Sequence, residues 1–288
     1  MFRPITALLS LFLSVSMSNV QGRELRFAPL PLENKNVIHE QYQGLVSYLS
    51  KKSGYRLKMR FYKDYAKIIE AFSNDQIDIA YLGPLPYVIL KKQFSAQEPI
   101  VCFRDTQGEA SYTCSLVVFG DSGLTLDKLK GVQIGLTQPY STCGYLAVSQ
   151  MLDEAGLSIE NDDNTAHYAG SHSQAALGGI RGEYDVAGIK TAISKRYAHL
   201  GLQTIAESQP YPGFALIANT NTMSREEITT LRNILLDLDP AHSISDRELT
   251  ERWGSQFRNG AVTPEHCNYE TVFDALNRLP WPIPGTGQ

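Results

Sequence analysis

Apolar positions along this chain switch repeatedly between two periods. Short apolar runs at residues 25–28, 56–62 and 77–82 read as strands. Between them, Tyr42, Leu45, Val46 and Leu49 recur at helical spacing within residues 39–53, with Gly54 as the stop signal. Residues 65–73 continue the helical pattern, and the Gly83-Pro84 turn leads to another helix from Pro86. The alternation then repeats: a short helix at 125–130, a strand at 132–136, a helix at 141–155, a strand at 165–169, a helix at 173–182 and a strand at 185–189. This order predicts an α/β fold of mostly parallel sheets flanked by helices. Two further strand-like runs, 113–119 and 214–219, bracket the middle unit and are expected to be the crossings between two lobes. The predicted division is residues 23–118 with 214–288 as one discontinuous lobe, and 119–213 as the other. One α/β unit inserted in another suggests a two-lobed protein that closes on a ligand.

The first residues alter the expected location. Arg3 is the sole charge before Arg23, and residues 5–15 are apolar apart from Thr6, Ser10 and Ser14. That pattern reads as a secretory signal peptide over residues 1–22, too short in its apolar part to span a membrane comfortably. A soluble, exported, periplasmic protein is expected, and a monomer. The formal net charge of −4 becomes −5 once Arg3 is removed, and no basic run occurs. Such a chain is a poor partner for nucleic acid or an anionic membrane. No spacing suggests a metal site, and no cofactor is expected.

Export bears on the four cysteines. Cys102 and Cys114 flank residues 105–109, and a hairpin centred on Gly108 would set them opposite each other, which predicts a disulfide. Cys143 and Cys267 are then expected to be free, a pairing between them being the alternative.

Candidate chemistry concentrates in residues 137–145, Thr-Gln-Pro-Tyr-Ser-Thr-Cys-Gly-Tyr, where a strand gives way to a helix. The first turn of a helix carries N–H groups without intrahelical partners, and its dipole favours anions. Ser141 and Thr142 add hydroxyls, and Gly144 permits close backbone approach. The same residues also cap ordinary helices, so the segment alone leaves both readings open. Asp78 and Asp185 each precede an apolar strand in a matching Asp-apolar-Ala context, which points to equivalent structural places rather than to a catalytic pair.

Taken in order, these motifs resemble the phosphonate, phosphite and phosphate substrate-binding proteins of ABC transporters. The resemblance runs through Asp64-Tyr65, residues 78–84, residues 121–124, residues 126–131, Ser141-Thr142-Cys143-Gly144-Tyr145, Gly170-Ser171-His172 and residues 182–187. It implies a type II periplasmic-binding-protein fold with the ligand between the lobes. It also implies that Ser141, Thr142, Cys143 and Gly144 hold the oxyanion, with Cys143 in place of the family's third hydroxyl and acting through its N–H. Tyr65 and His172 would face the anion across the cleft, with Tyr87 as a wall residue. The implied partner is an ABC permease, or a membrane sensor kinase in the alternative reading. A further alternative is an enzyme using Cys143 as nucleophile and His172 as base. An aminophosphonate would need a carboxylate to receive its ammonium group. The segment 186–192 offers Lys190 and no acid, which favours phosphate, phosphite or a simple alkylphosphonate, with Phe214 a candidate neighbour of a P–H or P–CH3 group.

Overall fold

A computed structural model describes residues 22–31, 34–120, 122–160 and 162–278; residues 1–21 of the expected signal peptide lie outside them. The chain begins with β1 (Glu24–Ala28), α1 (Lys35–Ser53), β2 (Arg56–Met59), α2 (Tyr65–Ser73), β3 (Ile79–Leu82), α3 (Pro84–Gln93) and β4 (Gln97–Phe103). Local chemistry fixes the ends of these helices. The Asn34 side chain accepts from the Asn36 and Val37 amides at 3.1 Å each, and α1 stops at Gly54, whose φ of 77° suits glycine. Asp64 caps α2 by accepting from Lys67 N–H at 2.9 Å. Pro84 takes the first position of α3, where its missing N–H costs nothing.

A two-residue strand β5 (Ser111–Tyr112) precedes β6 (Cys114–Phe119), β7 (Gln133–Leu136), α4 (Ala147–Glu154), β8 (Thr165–Tyr168), α5 (His172–Ile180), β9 (Val186–Lys190), α6 (Thr191–Tyr197) and β10 (Leu202–Glu207). The return passes through β11 (Tyr211–Pro212) to β12 (Ala215–Asn219), α7 (Arg225–Leu236), α8 (Ile244–Thr250), β13 (Ala261–Val262) and α9 (Glu270–Arg278). The first sheet has the order β13-β4-β12-β3-β1-β2, and the second β10-β6-β9-β7-β8. In the first, β1 pairs in parallel with β2 and β3, while β12 runs antiparallel between β3 and β4. In the second, β7 pairs in parallel with β8 and β9, and β6 is antiparallel to β9 and β10. Each sheet is thus a parallel βαβ half joined to antiparallel strands.

The crossing lies elsewhere than the sequence pattern suggests. Residues Cys114–Phe119 belong to the second sheet, and the passage between sheets is the short antiparallel ribbon of β5 and β11, with Tyr112 opposite Tyr211. Two-residue strands leave no alternation to read, whereas β6, with five of its six residues buried, reads as a strand wherever it is placed.

That shift also explains a correction to the disulfides. The turn around Gly108 exists, with Asp105 N–H donating to Glu109 C=O at 2.6 Å. Its arms nonetheless enter different sheets, so Cys102 and Cys114 do not pair. Cys102 bridges to Cys267 (Cα–Cα 6.5 Å), and Cys114 bridges to Cys143 (Cα–Cα 5.0 Å). Neither Cys143 nor Cys267 is free.

The two aspartates occupy matching places. Asp78 accepts from the Arg26 amide at 2.6 Å, and Asp185 accepts from the Gln133 amide at 2.7 Å, in each case tying the end of one strand to its parallel neighbour. Asp78 also takes the Arg26 guanidinium, at 2.8 Å (Nε) and 2.6 Å (Nη2). Burial pushes the Asp78 carboxyl upward, but the Arg26 contacts outweigh it and hold the group below its ordinary range. The first lobe's core is aromatic: Tyr81 lies 5.6 Å from Phe214 in a stack and 5.1 Å from Phe257 edge-on. Trp253 packs there against Tyr48, as a structural residue.

Candidate functional site

After β7 the chain turns at Thr137 and enters α4 through a wide π-type turn, Thr142–Leu146, in which Ser141 C=O receives the Tyr145 and Leu146 amides at 3.1 and 3.2 Å. Ser141 caps this turn, its Oγ accepting from Gly144 N–H at 3.0 Å. Thr142 Oγ1 accepts from Leu85 N–H at 3.1 Å, so the loop meets the start of α3 in the other lobe. A hydroxyl that accepts an amide keeps its own hydrogen for donation, so neither cap disables Ser141 or Thr142 as donors to an anion. The Thr142 and Cys143 amides have no hydrogen-bond partner among the described residues. Glycine is required at 144 for a reason within the protein: a Cβ there would collide with Thr137 Oγ1 and come within 2.6 Å of Thr137 N. The disulfide from Cys143 to Cys114 pins the same turn to β6.

The second helix start is supplied by α5. Ser171 caps it, accepting from Gln174 N–H at 3.3 Å, and is itself buried. His172 follows, and its Nδ1 accepts from the Lys190 backbone N–H at 3.3 Å. An Nδ1 acceptor leaves the ring proton on Nε2. Burial, reinforced by the charge of Lys190, pushes the His172 pKa down to about 4, so near neutral pH the ring is an uncharged N–H donor. The two helix starts are held side by side by Gly170 N–H, which donates to Thr137 C=O at 2.8 Å, and by Gln138 Nε2, which donates to Gly170 C=O at 3.1 Å. Gln138 Nε2 also donates across to Pro31 C=O at 3.1 Å.

A cavity of about 270 Å3 opens between the lobes beside these elements. Its apolar wall includes Leu30, Ile38, Tyr42, Phe103 and Phe214, and its second-lobe wall carries Ser171, His172 and Lys190. Tyr112, from the crossing ribbon, stands on the wall. Lys190 Nζ lies 4.5 Å from the Tyr112 ring centroid and 5.5 Å from that of Phe214.

Among the residues singled out from sequence, His172 lines this cavity, as do Lys190 and Phe214. Ser141, Thr142, Cys143 and Gly144 do not line it; they are buried in the turn that leads into α4. Tyr65 is buried in the same aromatic cluster as Tyr42 and Tyr81. Tyr87 does not line the cavity; its ring sits edge-on to Tyr269 at 4.7 Å, within the core. Cys143 is bonded to Cys114, so it has no thiolate to act as a nucleophile, and the enzyme alternative loses its reactive group. Sequence reasoning missed Tyr112 and the cationic side chains Arg104 and Arg196 on the wall, because a two-residue ribbon and an ordinary-looking helix give no periodic cue.

Residues 27–265 match the family described as "ABC transporter, phosphonate, periplasmic substrate-binding protein". The phosphate-import protein PhnD of Mycolicibacterium smegmatis is 26% identical over 227 residues, covering 73% of this chain and 70% of that protein. The probable ABC transporter phosphite binding protein PhnD1 of Prochlorococcus marinus is 22% identical over 291 residues, covering 94% and 95%. The solved structure of Prochlorococcus marinus PhnD1 in complex with methylphosphonate superposes with a TM-score of 0.74 at 19% identity, over 89% of this chain and 99% of that one. An alkanesulfonate-binding protein from Xanthomonas axonopodis bound to MOPS shares the fold more distantly, with a TM-score of 0.57.

Proposed function

Because the chain belongs to the phosphonate periplasmic substrate-binding proteins of ABC transporters, we propose that it captures a phosphorus oxyanion between its lobes, in the periplasm, and presents it to a membrane permease. The ligand classes in view are phosphate, phosphite and simple alkylphosphonates. The observation that carries this reading is the neutral His172, its Nδ1 committed to the Lys190 amide and its Nε2–H left to donate beside a second helix start. The Thr142 and Cys143 amides and the Ser141 and Thr142 hydroxyls complete the proposed cradle.

The magnitudes are sufficient. Micromolar affinity needs about 8 kcal/mol. Hydrogen bonds to a charged group contribute about 1.5–3 kcal/mol each, so four or five donors reach it without an arginine in direct contact. Sulfate is the closest competitor in shape. At neutral pH it has no proton, whereas phosphate, phosphite and methylphosphonate are partly protonated, so an acceptor among the contacts would favour the phosphorus acids. Closure of the lobes on the anion supplies the shape that a permease reads.

The test is isothermal titration calorimetry of mature protein, stripped of ligand by unfolding and refolding, against phosphate, phosphite, methylphosphonate and sulfate. Micromolar or tighter binding of a phosphorus oxyanion, weakened tenfold or more in His172→Ala, is the expected outcome. Binding of none of them, or an affinity unmoved by His172→Ala, would refute the assignment.

A further inference from the structure

The cavity beside the proposed oxyanion cradle is larger and more cationic than inorganic phosphate requires. Its volume of about 270 Å3 is many times the roughly 10–15 Å3 that a single water needs, against the five heavy atoms of phosphate. Arg104, Lys190 and Arg196 contribute to its lining, against one carboxylate, Asp105. That carboxylate is engaged by its own turn, accepting from the Gln107 amide at 2.8 Å and the Glu109 amide at 3.2 Å. Arg104 is partly used as well, donating to Gly108 C=O at 2.9 Å.

Lys190 is placed differently. It ends β9, is half-buried, and rests its ammonium over the Tyr112 and Phe214 rings at 4.5 and 5.5 Å. No carboxylate among the described residues lies within ion-pair distance of it, and the same holds for Arg196. A partly buried ammonium resting on ring faces, with no carboxylate in ion-pair contact, is poorly compensated. Burial lowers its pKa, and the attraction of Asp105 restores only part. The opposite wall (Leu30, Ile38, Phe103) is apolar and suits a short carbon spacer.

We propose that the site takes an organophosphorus ligand carrying a second anionic group on a short carbon chain, the phosphorus oxyanion in the His172 cradle and the second anion on the Lys190 ammonium, with Arg196 elsewhere on the same cavity lining adding positive charge. This inference rests on the phosphorus-oxyanion reading above and extends it. The same geometry disfavours an aminoalkylphosphonate, whose ammonium would meet Lys190 instead of a carboxylate.

The test compares ligands of matched length: propylphosphonate (apolar end), 3-phosphonopropionate (carboxylate end) and 2-aminoethylphosphonate (ammonium end), with methylphosphonate as the reference for the cradle. The stripped mature protein is titrated with each. The expected result is 3-phosphonopropionate binding roughly 10- to 100-fold tighter than propylphosphonate, and 2-aminoethylphosphonate weakest. In Lys190→Met that ratio should collapse toward one, and in Lys190→Glu the preference should shift toward 2-aminoethylphosphonate. If methylphosphonate binds but 3-phosphonopropionate has no advantage over propylphosphonate in the unmodified protein, the second-anion subsite is wrong while the cradle stands. If neither methylphosphonate nor any longer ligand binds, the cradle itself is wrong and the subsite falls with it. The series on unmodified protein decides between these outcomes even if a Lys190 variant fails to fold.

Discussion

The charge state of His172 governs what it can donate to an anion, and it can be tested without any ligand. In the unfolded chain a histidine binds its proton near pH 6.5, whereas in the fold His172 does so only near pH 4. Between those values the unfolded state holds more protons, so stability must fall as the pH falls. Above about pH 6.5 the histidine is neutral in both states and exerts no penalty. On acidification the penalty grows toward a ceiling of about 3 kcal/mol, reached below pH 4. From pH 7.5 to pH 5 the same two values give a loss of about 2 kcal/mol. The perturbation is His172→Gln, which keeps a donor and an acceptor but does not titrate. The assay is urea unfolding of wild type and variant at both pH values, ligand-free, because a bound oxyanion would favour the imidazolium. Wild type should lose about 2 kcal/mol more than the variant over this range; every other titrating group is common to both and cancels. Equal losses would mean that His172 titrates normally, and the picture of a neutral donor locked by the Lys190 amide would be refuted.

Two further outcomes follow from the anion loop. Gly144→Ala should lower stability by several kcal/mol, or displace the turn, because its Cβ would strike Thr137, whose amide is only 2.6 Å away; differential scanning calorimetry combined with oxyanion titration would detect either effect, and wild-type behaviour in both would contradict the packing described. The double variant Cys114→Ser/Cys143→Ser opens a link spanning 29 residues, for which the chain-entropy estimate is about 3–4 kcal/mol. A chemical-denaturation midpoint unchanged from wild type, under non-reducing conditions, would show that this bridge does not form.

Much of this architecture was legible because buried strands and amphipathic helices impose their periods on the sequence. The helix Tyr65–Ser73 matches its prediction end to end, since Asp64 and the Ile68, Ile69 and Phe72 face mark it without ambiguity. The matching contexts of Asp78 and Asp185 reflect a structural equivalence, because both serve the same amide-capping task on a neighbouring parallel strand. The failures share a cause. Cysteine pairing depends on which sheet each strand joins, and local spacing around Gly108 carries no information about that. The π-type turn at Thr142–Leu146 looks like ordinary helix in sequence. Lys190 was visible as the lack of an acid, but its seat over Tyr112 required the ribbon that brings residues 111–112 next to 211–212.

The hydrogen bonds from Gln138 to Pro31 and from Leu85 to Thr142 have a consequence for signalling fidelity. Both join one lobe to the other and neither involves a ligand atom. At about 1 kcal/mol each, two such bonds bias the open–closed equilibrium roughly 30-fold toward closure. A receptor biased in this way binds more tightly, because the solute no longer supplies all the free energy of closing. The same bias creates a standing population of empty, closed molecules that a permease could mistake for loaded ones. Affinity and discrimination between loaded and empty receptor are therefore in tension in this molecule, and these two neutral hydrogen bonds add to the apolar packing between the lobes in setting the balance.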